Sequence, residues 1–243
     1  MSAFRALLAA TLVGLGCAPV GASEEDYTKA RKRLAAEIRD YGVPIRERSD
    51  PAIIRQVANV PRHLFVPEAQ RGEAYRDYPL PIGEDQTISQ PSLVALMTHL
   101  LRPKPEDVVL EVGTGSGYQA AILSGLVSHV YTIEIVGPLA RQSAKRLDEL
   151  GYRNVTVRHG DGYAGWPDHA PFDAIIVTAG ADHVPPLLVE QLKPRGRMVI
   201  PVGSSQNTQQ LRLITKDSKG RVRDEIVIPV RFVPLTREVR DPA

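Results

Sequence analysis

Three glycines alternate with other residues in VVLEVGTGSGYQAAI, residues 108–122. Gly113, Gly115 and Gly117 lie between an apolar run typical of a strand and a pattern typical of a helix. Without side chains at these positions, backbone amides can approach a ligand, and the start of a helix favours negative charge. Dinucleotide sites use G-x-G-x-x-G, whereas this loop reads G-x-G-x-G behind Glu111. The loop therefore predicts a cradle for a small anionic or zwitterionic group, and the spacing disfavours a nicotinamide oxidoreductase.

Acidic residues also follow the next two strand-like runs. Glu134 closes the run VYTIE, and Asp161 with Gly162 follows NVTVRHG. Because parallel strands place their carboxyl ends at one edge of a sheet, we expect these residues to meet the glycine loop. S-adenosylmethionine fits such a site, with its ammonium near Glu111, its ribose at Glu134 and its adenine at Asp161 and Gly162. Taken singly, each residue is as well explained by a tight turn or a solvated charge.

The segment PIGEDQTISQPS, residues 81–92, has no helical or strand period. It places Thr87 and Ser89 just before a helical pattern that begins near Pro91. Ser89 has a structural alternative as a helix cap, although a helix that starts at Pro91 makes Gln90 the cap. The six histidines show no metal-ligand spacing, and the sole cysteine is Cys17. No metal site, thiol nucleophile or histidine base is predicted.

Composition restricts the class of protein. The chain has 243 residues and is 43% hydrophobic, which fits one globular unit and excludes a disordered or collagen-like chain. Thirty Lys and Arg residues against 28 Asp and Glu give a net charge of +2 with the signs interspersed. This balance predicts no nucleic-acid partner.

The first residues resemble a secretion signal. Arg5 precedes an apolar run from Ala6 to about Gly16, and Val20 and Ala22 are small residues suited to cleavage. The run is too short for a comfortable membrane span. We interpret residues 1–22 as a signal peptide or as a leader created by a start site assigned too far upstream.

Hydrophobic patterns divide the rest of the chain in two. Residues 23–102 are predicted to form an N-terminal extension of helices and loops without a clear sheet, beginning with a helix capped by Ser23 and Asp26. From residue 103 to 243, apolar runs alternate with helical stretches, which predicts an α/β core with a mostly parallel sheet, helices on both faces and an antiparallel pair at its end. We expect one globular unit.

Several stretches together resemble the protein-L-isoaspartate O-methyltransferase family over about residues 26 to 237. They are LPIGEDQTISQP, VLEVGTGSGYQAAIL, RHGDG, APFDAIIVTA, QLKPRGRMVIPVG and RFVPLT. The resemblance implies a doubly wound, Rossmann-like, seven-stranded methyltransferase sheet. It also implies transfer of a methyl group from S-adenosylmethionine to L-isoaspartyl residues of damaged proteins and peptides, whose esters then collapse to a succinimide.

The resemblance also assigns roles to residues. Ser89 is implied as the active-site serine, and Thr87 and Ile88 as the junction between cofactor and peptide. Val233 and Thr236 would belong to a closing C-terminal segment. The cofactor would be held by residues of the glycine loop and of the strand ends: Glu111, Gly113, Gly115, Gly117, Glu134, Asp161 and Gly162.

The implied chemistry explains why hydroxyl groups suffice. A carboxylate is already deprotonated near neutral pH, so its methylation needs no general base. The protein must supply alignment and exclude water, and a serine hydroxyl can orient a carboxylate without protonating it. Glu84 and Asp85 would repel the substrate carboxylate unless they point outward.

Two alternatives remain open at this point. One keeps the fold and cofactor but methylates another carboxylate acceptor, and the other is a non-catalytic exported binding protein. We expect a cytoplasmic monomer without stable membrane association, because the cofactor is made in the cytosol. The leader keeps periplasmic export as the alternative location.

Overall fold

The computed structural model describes residues 22–41, 50–204 and 208–237. The predicted leader, apart from Ala22, lies outside these residues, as does Cys17. None of the helices in the described ranges combines the length and the apolar character needed to span a bilayer.

The extension begins with helix α1, Glu24–Tyr41. Asp26 Oδ2 accepts hydrogen bonds from Ser23 N at 3.0 Å and from Ser23 Oγ at 2.8 Å, and Asp26 N donates back to Ser23 Oγ at 3.3 Å. These reciprocal bonds satisfy the first backbone donors of the helix and confirm the predicted cap. Leu34 and Ile38 are buried and pack α1 onto the core.

Helices α2, Pro51–Asn59, and α3, Pro91–Leu101, follow in the extension. Asp50 caps α2 through Ala52 N at 2.7 Å. Gln90 is the N-cap residue of α3, so the prediction that Ser89 lies just outside this helix is confirmed.

The extension also contains a β-hairpin, so the prediction of helices and loops alone was wrong. Strands β1, Leu80–Gly83, and β2, Gln86–Ile88, pair antiparallel. Glu84 and Asp85 form the turn, both in the left-handed region with φ of 54° and 55°. Two successive left-handed residues match the twist of a tight hairpin, but glycine or asparagine usually occupies them, so the turn signal is weak in this sequence.

A seven-stranded sheet in the order β5-β4-β3-β6-β7-β8-β9 forms the core, which confirms the predicted α/β fold. The first five strands of this order are parallel, and β8 and β9 add the expected antiparallel end. The strands are β3 Val108–Val112, β4 His129–Glu134, β5 Val155–His159, β6 Phe172–Val177, β7 Leu192–Val202, β8 Gln209–Lys216 and β9 Val222–Val230. The helices are α4 Tyr118–Ser124, α5 Gly137–Glu149 and α6 Pro186–Glu190.

The two faces of the sheet are covered unequally. Along β3, Val109 packs into a large cluster that includes α1 to α5, whereas Leu110 and Val112 pack into a smaller one. The smaller cluster is closed by Tyr163, Trp166 and the five-residue helix α6. Alternating side chains thus give the central strands two buried faces, as parallel sheets require.

Candidate active site

A cavity of about 270 Å³ opens at the carboxyl ends of β3, β4 and β6. Its walls are the hairpin, the glycine loop, the ends of these strands and the C-terminal segment 233–236. The sequence-predicted residues that line it are Thr87, Ile88, Ser89, Glu111, Gly113, Gly115, Glu134, Gly162, Val233 and Thr236. The cavity therefore brings together residues that are far apart in the chain, from the hairpin to the C-terminal segment, at the sheet edge where an open α/β sheet is expected to bind its ligand.

Glu111 is fully buried in the cavity wall. Its Oε2 accepts a hydrogen bond from Thr132 Oγ1 at 2.6 Å, and its Oε1 is buried without a hydrogen-bond partner. Burial raises the pKa of Glu111 to about 8, against the Thr132 bond, which favours the charged form, and with a contribution from Glu134. An unpaired buried carboxyl oxygen is costly, so this atom calls for a ligand that donates hydrogen bonds.

Glu134 binds the glycine loop from the end of β4. Its Oε2 accepts from Gly115 N at 2.7 Å and its Oε1 from Val136 N at 2.9 Å. Burial raises its pKa, although these backbone bonds and His159 oppose the rise. Glu134 thus shapes the loop that it faces.

Gly113 and Gly117 have different roles in the loop. Gly113 has φ of +101°, and a Cβ there would lie 2.5 Å from Thr178 Oγ1. Gly117 has φ of +88° and does not line the cavity, since it starts α4 and packs against Leu147. Its absence of a side chain serves helix packing rather than ligand contact.

Asp161 does not line the cavity, whereas its neighbour Gly162 does. The Asp161 side chain accepts from Tyr163 N at 2.8 Å and caps a short 3-10 turn. At Gly162 a Cβ would lie 2.3 Å from Val112 Cγ1, so the turn approaches β3 as only glycine allows. Asp161 positions this turn at the rim.

The hairpin presents its last residues to the cavity. Ile88 is buried, Ser89 is half-buried and both line the wall with Thr87. Ser89 Oγ has no hydrogen-bond partner among the residues that the structure describes. Its hydroxyl is therefore available to a ligand.

The C-terminal segment is fixed at two points. Gly180 N donates to Val233 O at 2.7 Å, and Leu235 N donates to Gly180 O at 2.8 Å. The buried side chain of Gln209 donates to Phe232 O at 3.2 Å and accepts from Phe232 N at 2.7 Å. These bonds hold the segment across the end of β6.

Several cavity residues were not predicted from the sequence. Thr178 directly follows β6 at the same sheet edge, so the strand-end rule that selected Glu134 applied to it too. Tyr118 lines the cavity, and the buried Arg62 guanidinium lies 4.9 Å from its ring centroid. This cation–π contact joins segments distant in sequence and leaves no local pattern. The others are Asp85, Gln86, Val94, Val112, Thr114, Ser116, Gln119, Ile133, Ile135, Val136, Ala179, Pro234 and Leu235.

The charged residues of the cavity wall are all acidic. They are Asp85, Glu111 and Glu134, and the described lining includes no lysine, arginine or histidine. Within the described ranges, no group of three or more His, Cys, Asp or Glu residues is arranged to hold a metal ion. A cationic ligand suits this wall, and S-adenosylmethionine meets the donor requirement of Glu111 Oε1 through its ammonium group.

Comparisons with known proteins agree on one family. A family model described as protein-L-isoaspartate(D-aspartate) O-methyltransferase matches residues 29–240. The chain is 53% identical over 239 residues to protein-L-isoaspartate O-methyltransferase 2 of Syntrophobacter fumaroxidans, with 96% of each chain covered. It is 52% identical over 238 residues to the protein-L-isoaspartate O-methyltransferase of Opitutus terrae, covering 98% of this chain and 99% of that one.

A solved structure agrees as well. It is assigned as a protein-L-isoaspartate O-methyltransferase from Plasmodium falciparum in complex with S-adenosyl-L-homocysteine. The TM-score is 0.73 at 26% identity, and the match covers 86% of this chain and 99% of that chain.

Proposed function

The chain belongs to the protein-L-isoaspartate(D-aspartate) O-methyltransferase family, and from this premise we infer which residues of the cavity perform the family's reaction. The protein transfers a methyl group from S-adenosylmethionine to L-isoaspartyl residues of damaged proteins and peptides, and so starts their repair. Its own residues must bind this cofactor, orient the substrate carboxylate and exclude water.

Cofactor binding falls to the β3 and β4 side of the cavity. Glu111 Oε1 lacks a partner and would accept a hydrogen bond from the ammonium group, and Glu134 keeps the glycine loop in place. Gly113 and Gly115 leave the backbone of the loop accessible to the cofactor, and Gly162 lets the turn at the cavity rim approach β3 closely. When bound, S-adenosylmethionine supplies a methyl carbon activated by a sulfonium group.

Substrate binding falls to the opposite walls. Ser89 Oγ donates to the isoaspartyl carboxylate, and Thr87 and Ile88 form the hairpin edge beside it. Val233 and Thr236 close the cavity from the C-terminal segment. Because the carboxylate is ionised near neutral pH, no proton has to be removed before it reacts.

The observation that carries this assignment is that one cavity is lined both by the free Ser89 hydroxyl and by the unpaired Glu111 oxygen. The test is transfer of radiolabelled methyl from S-adenosylmethionine to an isoaspartyl peptide and to the matched aspartyl peptide. We expect base-labile label on the isoaspartyl peptide alone. Label on neither peptide, despite cofactor binding, would instead indicate another acceptor or a non-catalytic protein.

Ser89→Ala tests the serine itself. We expect slower turnover with little change in cofactor affinity, because Ser89 contacts substrate rather than cofactor in this assignment. Ser92→Ala is the matched control, since Ser92 lies nearby on α3 and outside the cavity lining. Equal turnover in Ser89→Ala and wild type would remove Ser89 from the mechanism.

We propose that the enzyme is a cytoplasmic monomer without stable membrane association or nucleic-acid partners. Cofactor supply favours the cytosol, and residues 1–22 resemble a signal, so periplasmic export is the alternative. Fractionation of cells that express the full chain tests the location, and mass determination of the amino terminus shows whether the leader is removed. Light scattering at several concentrations tests the monomer.

A further inference from the structure

Thr132 lies next to Glu111 in the sheet. The two residues are in register on the parallel strands β4 and β3, so their side chains lie on the same face. Thr132 is fully buried and its Oγ1 lies 2.6 Å from Glu111 Oε2. A β-branched side chain has few rotamers, which fixes the position of this hydroxyl.

A second hydroxyl continues the contact. Thr114 Oγ1 lies 2.7 Å from Thr132 Oγ1, and Thr114 lines the cavity. A hydroxyl group has one hydrogen to donate. When Thr132 donates to the Glu111 carboxylate, Thr114 must therefore donate to Thr132. The resulting chain runs in one direction and supports negative charge on Glu111.

The two hydroxyl groups hold one oxygen of the Glu111 carboxylate and leave the other oxygen without a partner. Glu111 Oε1 is buried in the cavity wall with no partner. With Oε2 held by Thr132, rotation of the carboxyl group away from the cavity would break a charge-assisted hydrogen bond.

We propose that Thr132 is a positioning residue for cofactor binding, which holds Glu111 so that binding of the cofactor's ammonium group displaces a proton from Glu111. This inference rests on the proposed function of the cavity. In the step, one O–H bond of the Glu111 carboxyl group breaks and its proton passes to the buffer. The ionised Glu111 carboxylate would then accept a hydrogen bond from the ammonium group at Oε1.

Burial and the nearby Glu134 carboxyl group favour the neutral form of Glu111 before binding, whereas the Thr132 hydroxyl favours the charged form. Glu134 faces Glu111 from β4. The other titratable groups in the cavity wall are Asp85 on the hairpin and Tyr118 on α4, and the Arg62 guanidinium lies over the Tyr118 ring. In the described lining, β6 and the C-terminal segment contribute no titratable side chain. Burial raises the pKa of Glu111 to about 8, so the unliganded group is neutral at pH 6.5.

The test measures heat of binding for S-adenosylhomocysteine, which carries the same ammonium group and cannot be turned over. Titrations of the full chain at pH 6.5 in two buffers of different ionisation enthalpy give the number of protons released. We expect about one proton from wild type and clearly less from Glu111→Gln, because only the former has a carboxyl proton to lose.

Thr132→Val removes the hydroxyl at nearly constant volume. We expect affinity to fall about tenfold or more, because a buried carboxylate loses its donor. We also expect proton release to persist at pH 8.5, where that of wild type has declined, since loss of the donor raises the pKa of Glu111 further. Thr132→Ser should restore both values, and it also serves if the valine variant fails to fold.

Ser143→Ala controls for loss of a buried hydroxyl elsewhere, since Ser143 donates to Leu139 O within α5 at 2.8 Å. It should change stability without changing the proton count. If wild type and Glu111→Gln release equal numbers of protons, or Thr132→Val matches wild type in affinity and proton count, the inference is overturned while the family reaction stands. Failure of wild type to bind S-adenosylhomocysteine would instead contradict the proposed cofactor site.

Discussion

Glu111→Gln should make the unliganded protein more stable at alkaline pH. The folded state raises the pKa of Glu111 from its ordinary 4.5 to about 8, mainly through burial. Between these values the folded state binds more protons than the unfolded state, so stability falls as pH rises and levels off above about pH 8. Glutamine stays neutral and does not follow this dependence.

The magnitude follows from the width of the window. Each pH unit within it changes stability by about 1.36 kcal/mol, so from pH 5 to pH 8 wild type should lose on the order of 4 kcal/mol relative to Glu111→Gln. That is a large share of the 5–15 kcal/mol by which a typical domain is stable. Any cost of placing the glutamine amide in the site is constant with pH, and therefore leaves the slope unchanged.

The assay is urea unfolding of both proteins, without ligand, at several pH values between 5 and 9. At a typical urea dependence of about 1–3 kcal/mol per molar, the difference amounts to a shift of at least about 1 M in the unfolding midpoint. Parallel pH dependences for the two proteins would refute the reasoning, since they would show that Glu111 titrates alike in the folded and unfolded chain.

Three further expectations concern the other walls. Gln209→Leu removes both hydrogen bonds to Phe232, which hold the C-terminal segment. It should therefore raise the KM for an isoaspartyl peptide about tenfold, with a smaller effect on cofactor affinity. An unchanged KM would contradict this expectation. Gly113 has φ of +101°, and Gly113→Ala would place a Cβ about 2.5 Å from Thr178 Oγ1. Calorimetry should therefore show S-adenosylhomocysteine binding weakened at least about tenfold. A variant that binds with the affinity of wild type would show that the loop can shift. Because Asp85 lines the cavity, we expect wild type to prefer peptides with lysine over glutamate beside the isoaspartate by about two- to fivefold in kcat/KM. Asp85→Asn and added salt should each reduce this preference. An equal preference in the variant and in wild type would exclude this role for Asp85.

The sequence predicted the part of the site that follows from strand ends. Glu111 is the penultimate residue of β3 and Glu134 is the last residue of β4, and parallel strands end at one edge of the sheet, so their proximity could be expected. The glycine loop could also be predicted, because its signal is the spacing of neighbouring residues in the sequence.

Two local features of the site could not be predicted in this way. The hairpin turn uses Glu84 and Asp85 where glycine or asparagine is usual, so its sequence carries little turn signal. Asp161 lies just beyond the end of β5, near the strand-end position that Glu134 occupies in β4, yet its side chain caps the next turn. The Asp161 outcome depends on local competition for hydrogen bonds, which the position along the strand does not reveal.

The C-terminal segment has a consequence for the order of folding. It meets the hairpin across the cavity, although the whole sheet from β3 to β9 separates them along the chain. Contacts between distant segments carry a large loop-closure entropy and slow folding. We therefore expect that the sheet can assemble before the cavity is closed. Local unfolding of the C-terminal wall, which is held at Gly180 and Gln209, would open the cavity while the core stays intact.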